Sequence, residues 1–176
     1  NSNKVVFCYM DDANSDYGTA IVGTVSGTTI SFGTPVVYSS ISTLQIHAAF
    51  DSFNNKVVIS YYKNNVDTKH CVVGTVSGTD ISFGSAVVFM TGYCVYINAT
   101  FDSSSNKVVV VCTDYNASYK MKVFVGTVSG TSISFGSEAN ISNDTSTEAY
   151  LGITFDTTNN KTVVAYRDSG NSGYAT

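Results

Sequence analysis

A chain of 176 residues with a net charge of −4 has the length of one ordinary domain, about 100–200 residues. It carries no Lys/Arg cluster, and Arg167 is the only arginine, so it lacks the cations that phosphate neutralisation requires and nucleic acid is not an expected partner. Only 12% of the residues are charged, about half the usual share of roughly 25%. Ser, Thr, Asn, Gly and Tyr must therefore cover the surface, as suits an extracellular or virion-associated protein. No apolar run approaches the roughly 18 residues of a membrane helix, so no membrane insertion is expected.

Taken in chain order, the elements repeat. Asn3–Met10 (NKVVFCYM) is a β-branched and aromatic run that predicts a strand. Val22–Gly33 reads VGTVSGTTISFG, and it returns as VGTVSGTDISFG from Val73 and as VGTVSGTSISFG from Val125. The period of about 51 residues places the chain among solenoids, propellers and arrays. The copy from Ile46 to Met90 gives the unit. Ile46–Phe50 predicts a short strand closed by the Asp51–Asn55 turn, whose Asp and Asn bond their own backbone. Lys56–Tyr62 predicts the second strand, the polar stretch from Lys63 to Lys69 a loop, and His70–Val76 the third strand. Ser77-Gly78 predicts a hairpin turn. Ile81–Phe89 predicts a fourth strand in which Gly84 marks a bulge or a close backbone approach.

The unit is a four-stranded antiparallel β-meander, and no window sustains helical periodicity. Strands such as KVVISYY are apolar without alternation, as expected of strands buried on both faces. The expected fold class is all-β, with tandem repeats arranged as propeller-like blades; a linear stack of the same sheets in a fibre is the alternative. The expected boundaries are a partial first repeat over 1–45, a second over 46–96, a third over 97–150 and the start of a fourth over 151–176. Lys161–Arg167 matches the second strand, as Asn3–Met10 does, so both ends fall within a repeat. That phase suggests a window on a longer array, or a subunit that joins others end to end.

The pattern FD-x3-NKVV, then YGTAIVGTVSGT-x-ISFG, then VVF or VVY, covers essentially the whole chain. It opens at Phe50-Asp51, Phe101-Asp102 and Phe155-Asp156, and Tyr17-Gly18-Thr19-Ala20-Ile21 precedes the first VGTVSG. It resembles the tandem β-propeller-like repeats of marine bacteriophage tail-fibre and structural proteins and of related environmental extracellular proteins. The resemblance implies a fibrous virion-associated or extracellular protein and offers no catalytic residues to carry over. Ala175 replaces the Gly of YGT, and Tyr119-Lys120-Met121-Lys122 replaces YGTAI in the third copy.

Chemistry-bearing residues are few. His47 and His70 lie in no triad or metal motif and read as structural histidines. Asp51, Asp102 and Asp156 recur at turns, where hydrogen-bonded capping is the expectation and calcium the alternative. Asp11, Asp114 and Asp168 recur at the end of the second strand, with Lys63 in the remaining copy. No catalytic residue, metal site or cofactor is expected. Cys8, Cys71, Cys94 and Cys112 form no CxxC pair and read as small buried residues or one incidental disulfide. Tyr9, Tyr61 and Tyr166 are repeat-equivalent and are expected in the core. Tyr17, Tyr62, Tyr93, Tyr96, Tyr115, Tyr119 and Tyr174 vary between copies near loops or strand ends, where tyrosine suits sugars and protein interfaces. Asn98, Asn116, Asn140, Asn143 and Asn160 each begin an N-x-S/T pattern, about as many as this composition gives by chance.

The expected function is therefore a non-enzymatic structural protein of an extracellular fibre, appendage or phage tail. Its partners would be other copies of itself or a longer parent chain. The alternative is a carbohydrate- or receptor-binding propeller module that uses the Tyr-bearing loops.

Overall fold

The computed structural model describes residues 3–141, 151–167 and 172–176. Within them the chain is all-β, apart from one short 3-10 turn at Asp12–Asn14. The first copy supplies β1 (Lys4–Asp11), β2 (Tyr17–Ser26) and β3 (Thr29–Phe32), and it runs on into β4 (Val36–Asp51). β5 (Lys56–Lys63), β6 (Thr68–Ser77), β7 (Asp80–Phe83) and β8 (Val87–Thr91) follow. The next set is β9 (Cys94–Asp102), β10 (Lys107–Asp114), β11 (Lys120–Ser129), β12 (Ser132–Phe135) and β13 (Ala139–Asn140). β14 (Gly152–Asp156), β15 (Lys161–Arg167) and β16 (Gly173–Ala175) complete the described strands.

These strands form an eight-stranded sheet (β1–β8), a five-stranded sheet (β9–β13) and a three-stranded sheet (β14–β16), all antiparallel and none closed into a barrel. β4 joins the first two copies: its first half pairs with β2 and its second half with β5. Gln45 in the left-handed region (φ 51°) and a register shift between Leu44 and His47 mark the change of partner. The Ser-Gly hairpins form as the sequence predicts, with Gly27, Gly78 and Gly130 at φ 59°, 60° and 61°, which only glycine adopts without strain.

The expected fourth strand, Ile81–Phe89, is instead two strands. β7 pairs with the end of β6 and β8 with its beginning, and Gly84–Ala86 between them is unpaired with β6 as a ladder. The same break falls at residues 33–35 and 136–138, so it belongs to the repeat, and in the first two copies it is also a point of contact with the next copy. A Cβ on Gly84 would stand 1.9 Å from the carbonyl oxygen of Thr131, and one on Gly33 would stand 2.1 Å from that of Thr79. At these two points the backbones of successive copies touch, and glycine is required because no side-chain carbon fits. β6 also begins at Thr68, so Lys69 belongs to a strand and not to the expected loop.

The second strands of the second and third copies, β5 and β10, are buried on both faces, as their unbroken apolar runs predict, whereas β1 and β15 are only partly buried. Val57, Ile59 and Tyr61 of β5 pack with Val6, Cys8, Ala20 and Tyr38 of the first copy. Val58 and Tyr62 face the other way and join Val108, Val110, Cys112, Phe124 and Ile133 of the third. Each fully buried aliphatic or aromatic side chain contributes roughly 1.5–3 kcal/mol, so the contact between copies is itself the hydrophobic core. Polar rungs tie neighbouring first strands: Tyr96 N–H donates to Gln45 Oε1 (3.1 Å), Ala99 N–H to His47 Nδ1 (3.2 Å), and Asn98 Nδ2 to the Leu151 carbonyl (3.0 Å).

Gly33→Ala and Gly84→Ala are expected to destabilise the protein by about 2 kcal/mol or more, because backbone must move to admit the methyl. Among the described residues, Gly136, the equivalent glycine of the third copy, has no atom nearer than 4.0 Å to a built Cβ. Gly136→Ala should be neutral within about 0.5 kcal/mol. Urea denaturation of the three variants checks the contrast; equal losses at all three positions would show that the contact between copies is not the cause.

Candidate functional site

Four of the seven singled-out tyrosines come together at one end of the second and third copies. Tyr62 lies at the end of β5, Tyr93 between β8 and β9, and Tyr115 and Tyr119 in the turn between β10 and β11. Their rings form an edge-to-face ladder with centroid separations of 6.0 Å (Tyr62–Tyr93), 5.2 Å (Tyr93–Tyr115) and 4.6 Å (Tyr115–Tyr119), the geometry that the aromatic quadrupole favours. Backbone bonds hold the loops in place: Gly92 N–H donates to the Asp67 carbonyl (3.1 Å) and Tyr115 N–H to the Tyr93 carbonyl (3.0 Å). Tyr93 and Tyr115 are exposed, whereas Tyr62 is buried.

A cation lies beneath this ladder. Lys69 is fully buried, with Nζ 4.3 Å from the Tyr62 ring centroid, 5.9 Å from that of Tyr93, and 3.2 Å from Asp67 Oδ1. Tyr62 Oη also donates to Asp67 Oδ1 (3.2 Å). Cation–π attraction of this kind is worth about 2 kcal/mol when desolvated, which offsets part of the cost of burying the ammonium. Burial and the neighbouring Asp67 both push the Tyr62 phenol above its ordinary pKa. The sequence reading missed Lys69 and Asp67. Their signal was the repeat itself: Lys69 occupies the position of Gly18 and Met121, both buried, so a loop lysine was the wrong expectation there.

The other three tyrosines stand apart from the ladder. Tyr17 begins β2 opposite Asp11. Tyr96 sits in the β9 bulge at φ 54°, equivalent to Gln45. Tyr174 on β16 stacks on Tyr166 at 5.8 Å. Of the tyrosines expected in the core, Tyr61 is fully buried and Tyr9 and Tyr166 are half-buried.

The recurring aspartates cap turns. Asp51 Oδ1 accepts from the backbone of Phe53 and Asn54, and Asp51 Oδ2 from the Asn54 amide. Asp102 accepts from Ser104 and Ser105, and Asp156 from Thr158 and Asn159. Desolvation works to raise the Asp102 pKa, but the Ser104 and Ser105 hydrogen bonds outweigh it and hold it below the ordinary value. Bonds from Asn159 and Thr158 lower that of Asp156. In the second set, Asp114 accepts from Asn116 and Ala117 and pairs with Lys122 (3.1 Å), which also meets Glu138 (2.6 Å). Asp11 makes no side-chain cap, and Asp168 lies outside the described residues. No group of three metal-ligating side chains occurs among the described residues.

All four cysteines are free, and three of them are buried. Burial raises the thiol pKa of Cys8 and Cys71. The neighbouring Cys94 and then burial push the Cys112 thiol pKa well up, and Cys112 Sγ–H donates to Met90 Sδ (3.6 Å). Among the N-x-S/T positions, Asn116, Asn140 and Asn160 are exposed. The Asn98 side chain is engaged by Leu151 and by its neighbour Ala99, and Asn143 lies outside the described residues.

Both histidines are held neutral. His70 stacks on Tyr61 (5.6 Å), meets Thr68 Oγ1 through Nε2 (2.8 Å), and has its pKa lowered to about 4 by burial and then by the Lys63 charge. Burial also lowers that of His47, whose Nδ1 must stay unprotonated to accept from Ala99. The unfolded chain takes up these protons near pH 6.5, before the folded one does. The stability they contribute is complete above that pH and is lost as the pH falls towards 4. We expect a loss on the order of 2–3 kcal/mol from His70 between pH 6.5 and 4, read by urea unfolding at stepped pH. His70→Gln should flatten that slope, and an unchanged slope would remove His70 as its source.

No family model, curated protein or solved structure matches this chain.

Proposed function

We propose that this chain is a non-enzymatic structural repeat protein whose copies stack head to tail, extending the array through further copies of the same unit. The observation that carries this reading is a single apolar face met twice covered and once open. Ile59 of the second copy, and Val110 and Ile133 of the third, are buried against the copy before them, and Ile81 is buried too. Their equivalents in the first copy, Phe7 and Ile30, are exposed, with Phe7 at 47% and its ring neighbour Phe32 at 52%. Val5, two residues from Phe7 on the same face of β1, extends the open patch. Exposed apolar patches of this kind mark interaction sites. On the opposite surface, Gly136 has no close neighbour among the described residues where Gly33 and Gly84 each meet a backbone carbonyl.

In this reading each copy is a propeller-like blade, and the first strands line the axis. Support comes from the neighbouring β4, β9 and β14, which bring Phe50, Phe101 and Phe155 along one groove of about 390 Å³. A polar, charge-poor surface fits an extracellular fibre, appendage or phage tail, the setting that the sequence resemblance suggests. Sedimentation velocity and negative-stain microscopy over a concentration series should show end-to-end oligomers. Phe7→Asp with Phe32→Asp should lower association at least tenfold while leaving the unfolding midpoint nearly unchanged, because both side chains are already exposed. A strictly monomeric wild-type chain would overturn head-to-tail association between molecules.

A second reading rests on the tyrosine ladder. Its exposed Tyr93 and Tyr115 rings and the phenol groups beside Asp67 suit a carbohydrate or glycosylated receptor, bound weakly at each site and more tightly in an array. Binding on a glycan array that Tyr93→Ala and Tyr115→Ala abolish would favour it; a blank array would leave the ladder as a packing device.

A further inference from the structure

The first copy differs from the others in a second way, along an edge and not a face. The second strand of every later copy has its first strand beside it: β5 pairs with β4, β10 with β9 and β15 with β14. β1 pairs only with β2, and no described residue pairs with its other edge. The Val25 N–H donates to the Asn3 carbonyl (2.8 Å), which sets the phase of the β1–β2 ladder. Since antiparallel partners alternate, Val5, Phe7 and Tyr9 bond to β2, whereas Lys4, Val6 and Cys8 turn their N–H and C=O groups outward. Their equivalents Lys56, Val58 and Ser60 stand opposite Asp51, Ala49 and His47 of β4.

A groove of about 720 Å³ runs along this open edge. One wall is Asn3–Val6 of β1, and the other is Ala48–Phe50 of β4 with Val57 and Val76. Its size falls within the range of about 300–1,000 Å³ typical of ligand sites, but its walls are strand backbone and apolar side chains. Asn3 adopts φ 44°, the left-handed conformation of Asn55, Asn106 and Asn160, which close the aspartate turns of the other copies. The backbone at this end of β1 therefore has the geometry found beside a paired first strand.

We propose that this edge is a β-augmentation site for an extended segment ending in Phe-Asp, the first strand of a further copy of this repeat. The occupant follows from continuity with the pairings in place. Three strands of this chain fill the equivalent position, and each ends in Phe-Asp with the Asp opposite a lysine: Asp51 on Lys56, Asp102 on Lys107 and Asp156 on Lys161. The matching lysine here is Lys4. Main-chain bonds to Val6 and Cys8 supply affinity, and apolar contact with the groove together with Lys4 opposite the incoming Asp supplies register and specificity. An unpaired edge is otherwise a template for indiscriminate pairing, so a selective occupant also restrains aggregation. This site shares only Val5 with the head-to-tail face and leaves Phe7, Ile30 and Phe32 free, so either can fail without the other.

The test uses the whole chain, at a concentration where sedimentation shows it monomeric, with a fluorescein-labelled peptide of sequence INATFDSSS (residues 97–105). Saturable anisotropy with a Kd below about 1 mM is expected, weakened at least tenfold when the peptide Phe is Ala or the peptide Asp is Lys. Amide exchange at Val6 and Cys8 should slow on peptide addition, while Val5 and Phe7 stay as protected as before. Val6→Pro removes one outward donor at an edge, where proline is tolerated, and should weaken binding; should this variant unfold, the exchange measurement decides alone. Absence of binding overturns the proposal. So does binding indifferent to the Phe and Asp, or protection of Val6 and Cys8 by self-association of two β1 edges without peptide.

Discussion

The contact that the rest of the structure depends on is the touch of backbone on backbone between successive copies. Gly33 meets the Thr79 carbonyl and Gly84 meets the Thr131 carbonyl, at distances that leave no room for a Cβ. Because the strands lie so close, the side chains on either face of β5 and β10 reach the neighbouring copy and exclude water. The hydrophobic effect here acts between copies more than within one. A four-stranded meander has little interior of its own, so a copy gains most of its buried area by being stacked.

That dependence accounts for the polar features as well. Neighbouring first strands lie beside one another with unpaired groups, and Gln45, His47 and Asn98 satisfy some of them across the gap. A histidine in such a position is useful only when neutral, which makes burial and acid sensitivity two consequences of one placement. The Asp turns work at the other end of the same strands, where each carboxylate accepts the N–H groups that the reversal of chain leaves free.

The tyrosine ladder shows how variation enters a repeat without disturbing it. Tyr93, Tyr115 and Tyr119 lie in loops beyond the ladders, where the copies differ, and Lys69 replaces a small or apolar residue of the other copies at a buried position. The ammonium is kept there by two aromatic rings and one carboxylate, an arrangement present at only one of the contacts between copies in the described residues. Repetition thus sets the frame, and single departures from it make local chemistry.

The all-β class, the strand succession, the Ser-Gly hairpins, the Asp turns and the double burial of β5 and β10 were legible in the sequence, because each follows from local backbone preference or from an apolar run. The sequence also marked Gly84 as a place of close approach. It did not reveal what Gly84 approaches, since the contact is with Thr131, 47 positions further along the chain. Nor did it show that Lys69 is buried, that four of the seven nominated tyrosines meet, or that β1 keeps an open edge beside a groove. Those depend on which copy lies against which, a matter of packing between segments about 51 residues apart that local backbone preference does not specify.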